Sequence, residues 1–377
     1  MKIACISTSR IPSDTANSIQ VMKVCQALKQ IGHAVHLLVP QAQPAGWDEL
    51  SVRYGLTTPF DVTWLPAHPR LKRNDFAWLA VRRARRIGAD LVYTWTGQSA
   101  VFALLLGLPV IYEMHDLPTG KLGPLWFRSF LKLGGKKRML AVTDALRSRL
   151  ESLYGPIQGG DVLIAPNGVD LEQYEGLPAP AAARRAVGLP DRVTVSCSGH
   201  LYAGRGAELF LGLARRFPEA SFVWVGGRKE DVDTYRTRAE AEGLKNVRFT
   251  GFIDQQRLPC YQAAADILLM PYARSIAGSS GGNSADICSP MKMFDYLAAG
   301  RAILTSDLPV IHEVLNESNA VFAPPEDLEG WSDALARLLA SEDYRLRLGA
   351  QALSDAQKYS WRERARRALL HFPSETK

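Results

Sequence analysis

The chain has 377 residues, 47% of them apolar and 22% charged, with a net charge of +7 and no low-complexity tract. That length is too great for one ordinary core and predicts two domains of globular composition. The charge is uneven: residues 1–165 hold 20 Lys and Arg against 11 Asp and Glu, whereas residues 166–377 hold 25 against 27, so the basicity belongs to the N-terminal part and points to an anionic partner there.

Residues 2–8 read as a first strand. A helix follows with Val21, Val24, Leu28 and Ile31 on one face and Gly32 as its stop. Further strands are predicted at 34–39, 61–65, 90–95, 109–115 and 161–165. Pro166, Asn167, Gly168, Val169 and Asp170 form a turn-rich break, after which strands are predicted at 193–198, 221–225, 247–250, 266–270, 302–305 and 320–322. The stretch 361–372 reads as a terminal helix with a basic face. Short Val/Ile/Leu strands alternating with helices are the mark of parallel α/β sheets. Two such units joined by one break predict two facing Rossmann-like domains with a ligand cleft between them.

The basic residues cluster at Arg70, Lys72 and Arg73, at Arg82, Arg83, Arg85 and Arg86, and at Lys132, Lys136, Lys137 and Arg138. The last cluster follows Leu125, Trp126, Phe127, Phe130 and Leu131, an alternation suited to an anionic membrane surface; a solvated helix face is the competing reading. No nucleic-acid motif accompanies the charge, so nucleic acid is not expected as a partner. Five cysteines without CxxC spacing read as core residues in a reducing cytosol. The apolar run 101–112 is shorter than the roughly 20 residues of a membrane span, and the N-terminal run is too short for a signal peptide. A cytoplasmic protein is expected, peripheral at the inner face of the plasma membrane if the basic patch binds lipid.

The densest chemistry lies in Ser289–Gly300, SPMKMFDYLAAG. Ser289 suits an N-cap, Pro290 a first helical position, and Gly300 the stop. Free N–H groups at such a start, with the positive end of the helix dipole, seat phosphate; Asp295 one turn inside would grip vicinal ribose hydroxyls. An ordinary amphipathic helix remains the plain alternative.

SPMKMFDYLAAGRAIL resembles the donor-binding segment of the GT-B glycosyltransferases, in particular the retaining group 1 or GT4 family. Asp295 stands where that pattern more often has Glu, and Ile287 stands at its first carboxylate. The resemblance continues in four other segments. Asn17 and Ser18 fall where relatives carry a Gly-Gly loop, and would cap the helix or touch the donor phosphate or the acceptor. Tyr112, Glu113, Met114 and His115 resemble the family's E-x-H, whose His reaches the transferred sugar. Residues 198–206 resemble G-R-L-x3-K-G, with His200 and Arg205 at the two cations that hold the diphosphate; a surface turn is the alternative for Arg205. Residues 246–253 resemble V-x-F-x-G, placing Phe252 and Ile253 at the nucleobase, although core is the commoner fate of such a phenylalanine.

The resemblance implies a GT-B fold, an acceptor-side domain of residues 1–165 plus 359–377, and a nucleotide-sugar domain of residues 171–358. It implies a retaining, metal-independent transferase with catalytic His115 and Arg205. Its diphosphate would lie on His200, Arg205, Ser289, Met291, Lys292, Met293 and Phe294, and its ribose on Asp295. The donor would be a nucleotide-diphosphate sugar, the acceptor a glycan or glycolipid hydroxyl in surface polysaccharide synthesis, and no cofactor or metal would be required. Residues 275–288 would form a loop covering the donor. A non-catalytic nucleotide-sugar-binding protein and a GT-B epimerase stay open as alternatives. A dehydrogenase is disfavoured because no G-x-G-x-x-G follows the first strand.

Overall fold

The computed structural model describes residues 1–71, 73–157, 162–276 and 284–372. The chain divides into two compact units, one formed by Met1–Asn167 with the segment from Trp361 onward, the other by Gly168–Ser360.

The first unit runs β1 (Lys2–Ile6), α1 (Ala16–Gln30), β2 (Ala34–Pro40), α2 (Trp47–Tyr54), β3 (Asp61–Leu65), α3 (Asn74–Arg86) and β4 (Leu91–Thr94). It continues through α4 (Gly97–Leu105), β5 (Val110–Met114), α5 (Gly123–Lys132), β6 (Lys137–Ala141), α6 (Asp144–Tyr154) and β7 (Val162–Ile164). Its seven strands are parallel in the order β3-β2-β1-β4-β5-β6-β7. The chain order reverses beside β1, and in such sheets ligands gather at the carboxyl ends of the strands. Every residue of β4 and β5 is buried, as expected where helices cover both faces of a parallel sheet.

The second unit holds α7 (Pro180–Ala186), β8 (Thr194–Ser198), α8 (Ala207–Arg216), β9 (Ser221–Val225), α9 (Lys229–Ala241), β10 (Val247–Phe249) and α10 (Leu258–Ala263). It is completed by β11 (Ile267–Met270), α11 (Met291–Ala299), β12 (Ala302–Ser306), β13 (Val321–Ala323), α12 (Leu328–Ala340) and α13 (Glu342–Ala356). The strand order is β10-β9-β8-β11-β12-β13, again all parallel, with the reversal beside β8. Its core is aromatic: Phe210 meets Phe222 and Trp224 edge to face at 5.5 and 5.2 Å. The chain then returns to the first unit as α14 (Trp361–Leu369), which packs on α1.

One strand escaped the sequence reading. β6 begins with Lys137 and Arg138, which belong to the basic cluster expected either to face lipid or to form a solvated helix face. Lys137 Nζ instead donates to the carbonyls of Phe130, Leu131 and Leu133 at 2.6–2.9 Å and closes the C-terminal end of α5. Arg138 donates to the carbonyls of Ala368 and Leu370 and fastens α14. These two cations hold the fold together and are withdrawn from the expected lipid-facing cluster. Lys72, residue 161 and residues 277–283 of the expected donor cover lie outside the described residues. No helix among the described residues is long and apolar enough to cross a membrane.

Candidate functional site

In the second unit the loop after β8 is pressed against the chain that follows β11. At Gly204 (φ +81°) a Cβ would lie 2.2 Å from the Ser275 carbonyl oxygen, and at Gly206 (φ +83°) 2.1 Å from that of Pro271. Only glycine fits either place. Between these glycines stands Arg205, whose guanidinium lies over the buried Tyr272 ring, 4.9 Å from its centroid. Lys292, in the first turn of α11, brings its ammonium 5.2 Å from the same centroid and 3.7 Å from Cys197 Sγ. One aromatic ring thus holds two cations at a helix N-terminus, which is the electrostatics an anionic diphosphate requires.

The helix start differs by one residue from expectation. The N-cap is Pro290, helical geometry begins at Met291, and Ser289 precedes the cap as a buried residue. Pro290 offers no side-chain acceptor and makes no side-chain cap bond to the first turn, where Met293 N donates to the Pro290 carbonyl at 3.1 Å. Met293 and Phe294 are buried, which leaves their backbone rather than their side chains as candidate ligand contacts, while Met291 and Lys292 are half-buried. Tyr296 locks the helix in place: its hydroxyl accepts from Ser198 N at 2.8 Å and donates to the Leu269 carbonyl at 3.2 Å.

Asp295 is half-buried. The phenol of Tyr174 stands against it, pushed above its ordinary range by burial first and by the Asp295 carboxylate second, and donates to Gln262 Oε1 at 2.7 Å. His200 stacks on Tyr202 at 4.9 Å, and Arg228 covers the Tyr202 ring at 5.4 Å. At the end of β10, Phe252 is 37% exposed and so is not core, while Ile253 packs against the cluster around Val223 and Tyr261. Ile287, at the place of the missing carboxylate, is buried.

In the first unit His115 follows β5 with its side chain 31% exposed. Its Nε2 lies 2.7 Å from Oε1 of Glu113, a fully buried carboxylate. Arg364 of α14 donates to both Glu113 oxygens, at 2.7 and 3.2 Å; Gln20 Nε2 donates at 2.6 Å, and the Tyr93 hydroxyl donates as well. Burial alone would raise the Glu113 pKa, but Arg364 and the His115 hydrogen bond outweigh it and hold the group at about 2. The helix-capping expectation for Asn17 and Ser18 is corrected. Thr15 is the N-cap and accepts from Ser18 N; Ser18 is buried, with its hydroxyl donating to the carbonyls of Thr15 and Ser13. Of the pair, only Asn17 is exposed.

Tyr272, Tyr174 and Arg364 were not singled out from sequence. Tyr272 meets Arg205, and Arg364 meets Glu113 251 positions away, through the fold, which no local pattern encodes. Among the described residues, no three His, Cys, Asp or Glu side chains gather to hold a metal ion.

Two parallel-sheet Rossmann-like units with cations gathered at a glycine-rich loop and a helix N-terminus define the GT-B class. Residues 18–173 match the model of Glycosyltransferase Family 4, and residues 192–341 that of Glycosyl transferases group 1. The chain belongs to this GT4-like group 1 glycosyltransferase family. It is 24% identical over 358 residues to a phosphatidyl-myo-inositol mannosyltransferase of Mycolicibacterium smegmatis, covering 90% of this chain and 85% of that protein. It is also 24% identical over 421 residues to a D-inositol 3-phosphate glycosyltransferase of Xylanimonas cellulosilytica, covering 100% and 97%. Among solved structures it resembles Anabaena Alr3699/HepE in complex with UDP and glucose, with a TM-score of 0.77 at 14% identity over the whole of both chains.

Proposed function

We propose that this glycosyltransferase transfers a sugar, with retention and without a metal ion, from a nucleotide-diphosphate sugar to a hydroxyl of a glycan or lipid-linked acceptor in surface polysaccharide synthesis. The observation that carries the donor reading is the convergence of Arg205 and Lys292 on Tyr272 beside the N-terminus of α11, which has no side-chain cap bond from Pro290. Breaking the bond from sugar to diphosphate builds positive charge on the ring and negative charge on the leaving phosphate. Fixed cations and aligned N–H groups stabilise that phosphate before the reaction begins. Asp295 takes the ribose, the segment at Phe252 and Ile253 the base, and His115 the transferred sugar.

A thermal-shift screen against UDP-, GDP-, ADP- and CDP-sugars tests the reading. A matching donor at about 100 times its dissociation constant stabilises the protein by roughly 2.7 kcal/mol, and Arg205→Ala loses that shift. A flat response to all four, or an unchanged response in Arg205→Ala, would overturn it. A labelled donor then separates transfer from binding without turnover, the outcome of a non-catalytic protein.

The acceptor reading includes an anionic membrane. Helices α3, α4 and α5 adjoin in that order through the Trp78–Phe102 and Phe102–Trp126 ring contacts. Together they carry six cations, Arg82, Arg83, Arg85, Arg86, Arg128 and Lys132, against the single acid Asp75. Trp78, Leu79, Leu105 and Leu125 are exposed on these same helices. Apolar side chains fringed by arginine suit the boundary between lipid headgroups and acyl chains, where a lipid-linked acceptor resides.

A further inference from the structure

His115 reaches the surface of the first unit with one ring nitrogen already committed. Its Nε2 meets Glu113 Oε1 at 2.7 Å, and Glu113 is buried beneath it. The identity of the other donors around that carboxylate decides the direction of this bond. Arg364 places two nitrogens on Glu113 and is itself 6% exposed, held by donating to the carbonyls of Pro166 and Ala165 at 2.7 and 3.0 Å. A carboxylate paired with a buried guanidinium is ionised and can only accept. Nε2 must therefore carry the hydrogen. In a neutral imidazole that leaves Nδ1 with a lone pair and no hydrogen.

We propose that Glu113, anchored by Arg364 from the returning C-terminal helix, is the positioning residue of His115: it takes the Nε2 hydrogen and leaves Nδ1 to accept from a sugar hydroxyl. A lone pair accepts from O–H and has nothing to offer an ionised phosphate, which also only accepts. With the ring neutral, the arrangement thus assigns His115 to a hydroxyl of the transferred sugar and not to the diphosphate. It rests on the reading that His115 faces the donor sugar, but the ring state it predicts exists without any ligand.

The test is a two-bond proton–nitrogen correlation spectrum of the histidine rings of the 15N-labelled full chain, recorded on the alkaline side of the imidazole titration. Loss of one ring system in His115→Gln assigns the signals. Nδ1 should resonate as the unprotonated, pyridine-like nitrogen and Nε2 as the protonated one. The opposite pattern, or one averaged signal, overturns the proposal. In Arg364→Met the stranded carboxyl takes up a proton and donates to Nε2, so the pyridine-like signal should move to Nε2; in Arg364→Lys it should stay on Nδ1. An unmoved signal in Arg364→Met would refute the anchoring role of Arg364. The wild-type spectrum decides the matter even if that variant fails to fold. Because no nucleotide sugar is used, failure here is separate from failure of the donor screen.

Discussion

Arg205 and Lys292 rest against one tyrosine ring, and cations held in place before a ligand arrives lose little freedom on binding it. Arg205→Ala should lower turnover about 100- to 1000-fold, the cost of removing one preorganised donor at a developing charge. Tyr272→Leu leaves both charges but removes their common support, so donor affinity should fall about tenfold, as expected for a lost cation–π contact of roughly 1–2 kcal/mol. Steady-state kinetics with the donor found by thermal shift measures both; equal kcat in Arg205→Ala and wild type would sink the assignment. Glu113 makes a different prediction. Its pKa in the folded protein, about 2, lies below the ordinary carboxylate value, so the folded state holds the group more strongly as an anion. The resulting stability is fully present above the unfolded pKa and is lost as pH falls through the folded one. Urea midpoints should therefore drop between about pH 4.5 and pH 2, and more steeply than in Glu113→Gln. Parallel curves for the two proteins would contradict the depressed pKa.

At the scale of elements, the contact between the Gly204–Gly206 loop and the segment after β11 shapes the proposed diphosphate site. Gly206→Ala must relieve a Cβ 2.1 Å from the Pro271 carbonyl oxygen at a positive φ. Left-handed backbone costs roughly 1–2 kcal/mol and overpacking another 1–3, so a loss of about 2–5 kcal/mol is expected in urea unfolding, with weakened donor binding. The flanking glycines and the S-P-x-K-x-F-D start were legible in sequence because turn chemistry and helix capping are local. The alternation of apolar runs likewise gave twelve of the strands to within a few residues, since a parallel strand buried on both faces is a continuous apolar segment. β6 was hidden because its first two residues are cations recruited to carbonyls at the ends of α5 and α14. Tyr272 and Arg364 were hidden for a related reason: their roles arise from partners that only the folded sheet brings near. Even the helix start shifted by one residue, because Pro290 is extended, with ψ near 124°, and so caps α11 from outside it.

For the molecule as a whole, the surplus of positive charge in residues 1–165 gains a location. Part of the sequence-level cluster is consumed internally by Lys137 and Arg138, yet the arginines of α3 remain exposed at the same helical spacing as Trp78 and Leu79. Such a face should bind membranes through two terms with different signatures. The electrostatic term requires anionic lipid and weakens with salt, whereas insertion of Trp78 and its apolar neighbours does not. Co-sedimentation with vesicles should show binding to mixtures containing phosphatidylglycerol or phosphatidylserine, little binding to pure phosphatidylcholine, and a decline as ionic strength rises. Each arginine near the surface contributes about 1 kcal/mol, so Arg82→Gln with Arg83→Gln should weaken partitioning roughly 30-fold. Trp78→Ser should lower binding without flattening its salt dependence. Both variants should retain the thermal shift with a soluble donor, because the α3–α5 face and the Arg205–Lys292 site belong to different units. Equal partitioning of wild type into neutral and anionic vesicles would remove lipid charge from the account, and the exposed arginines would then be ordinary solvated side chains.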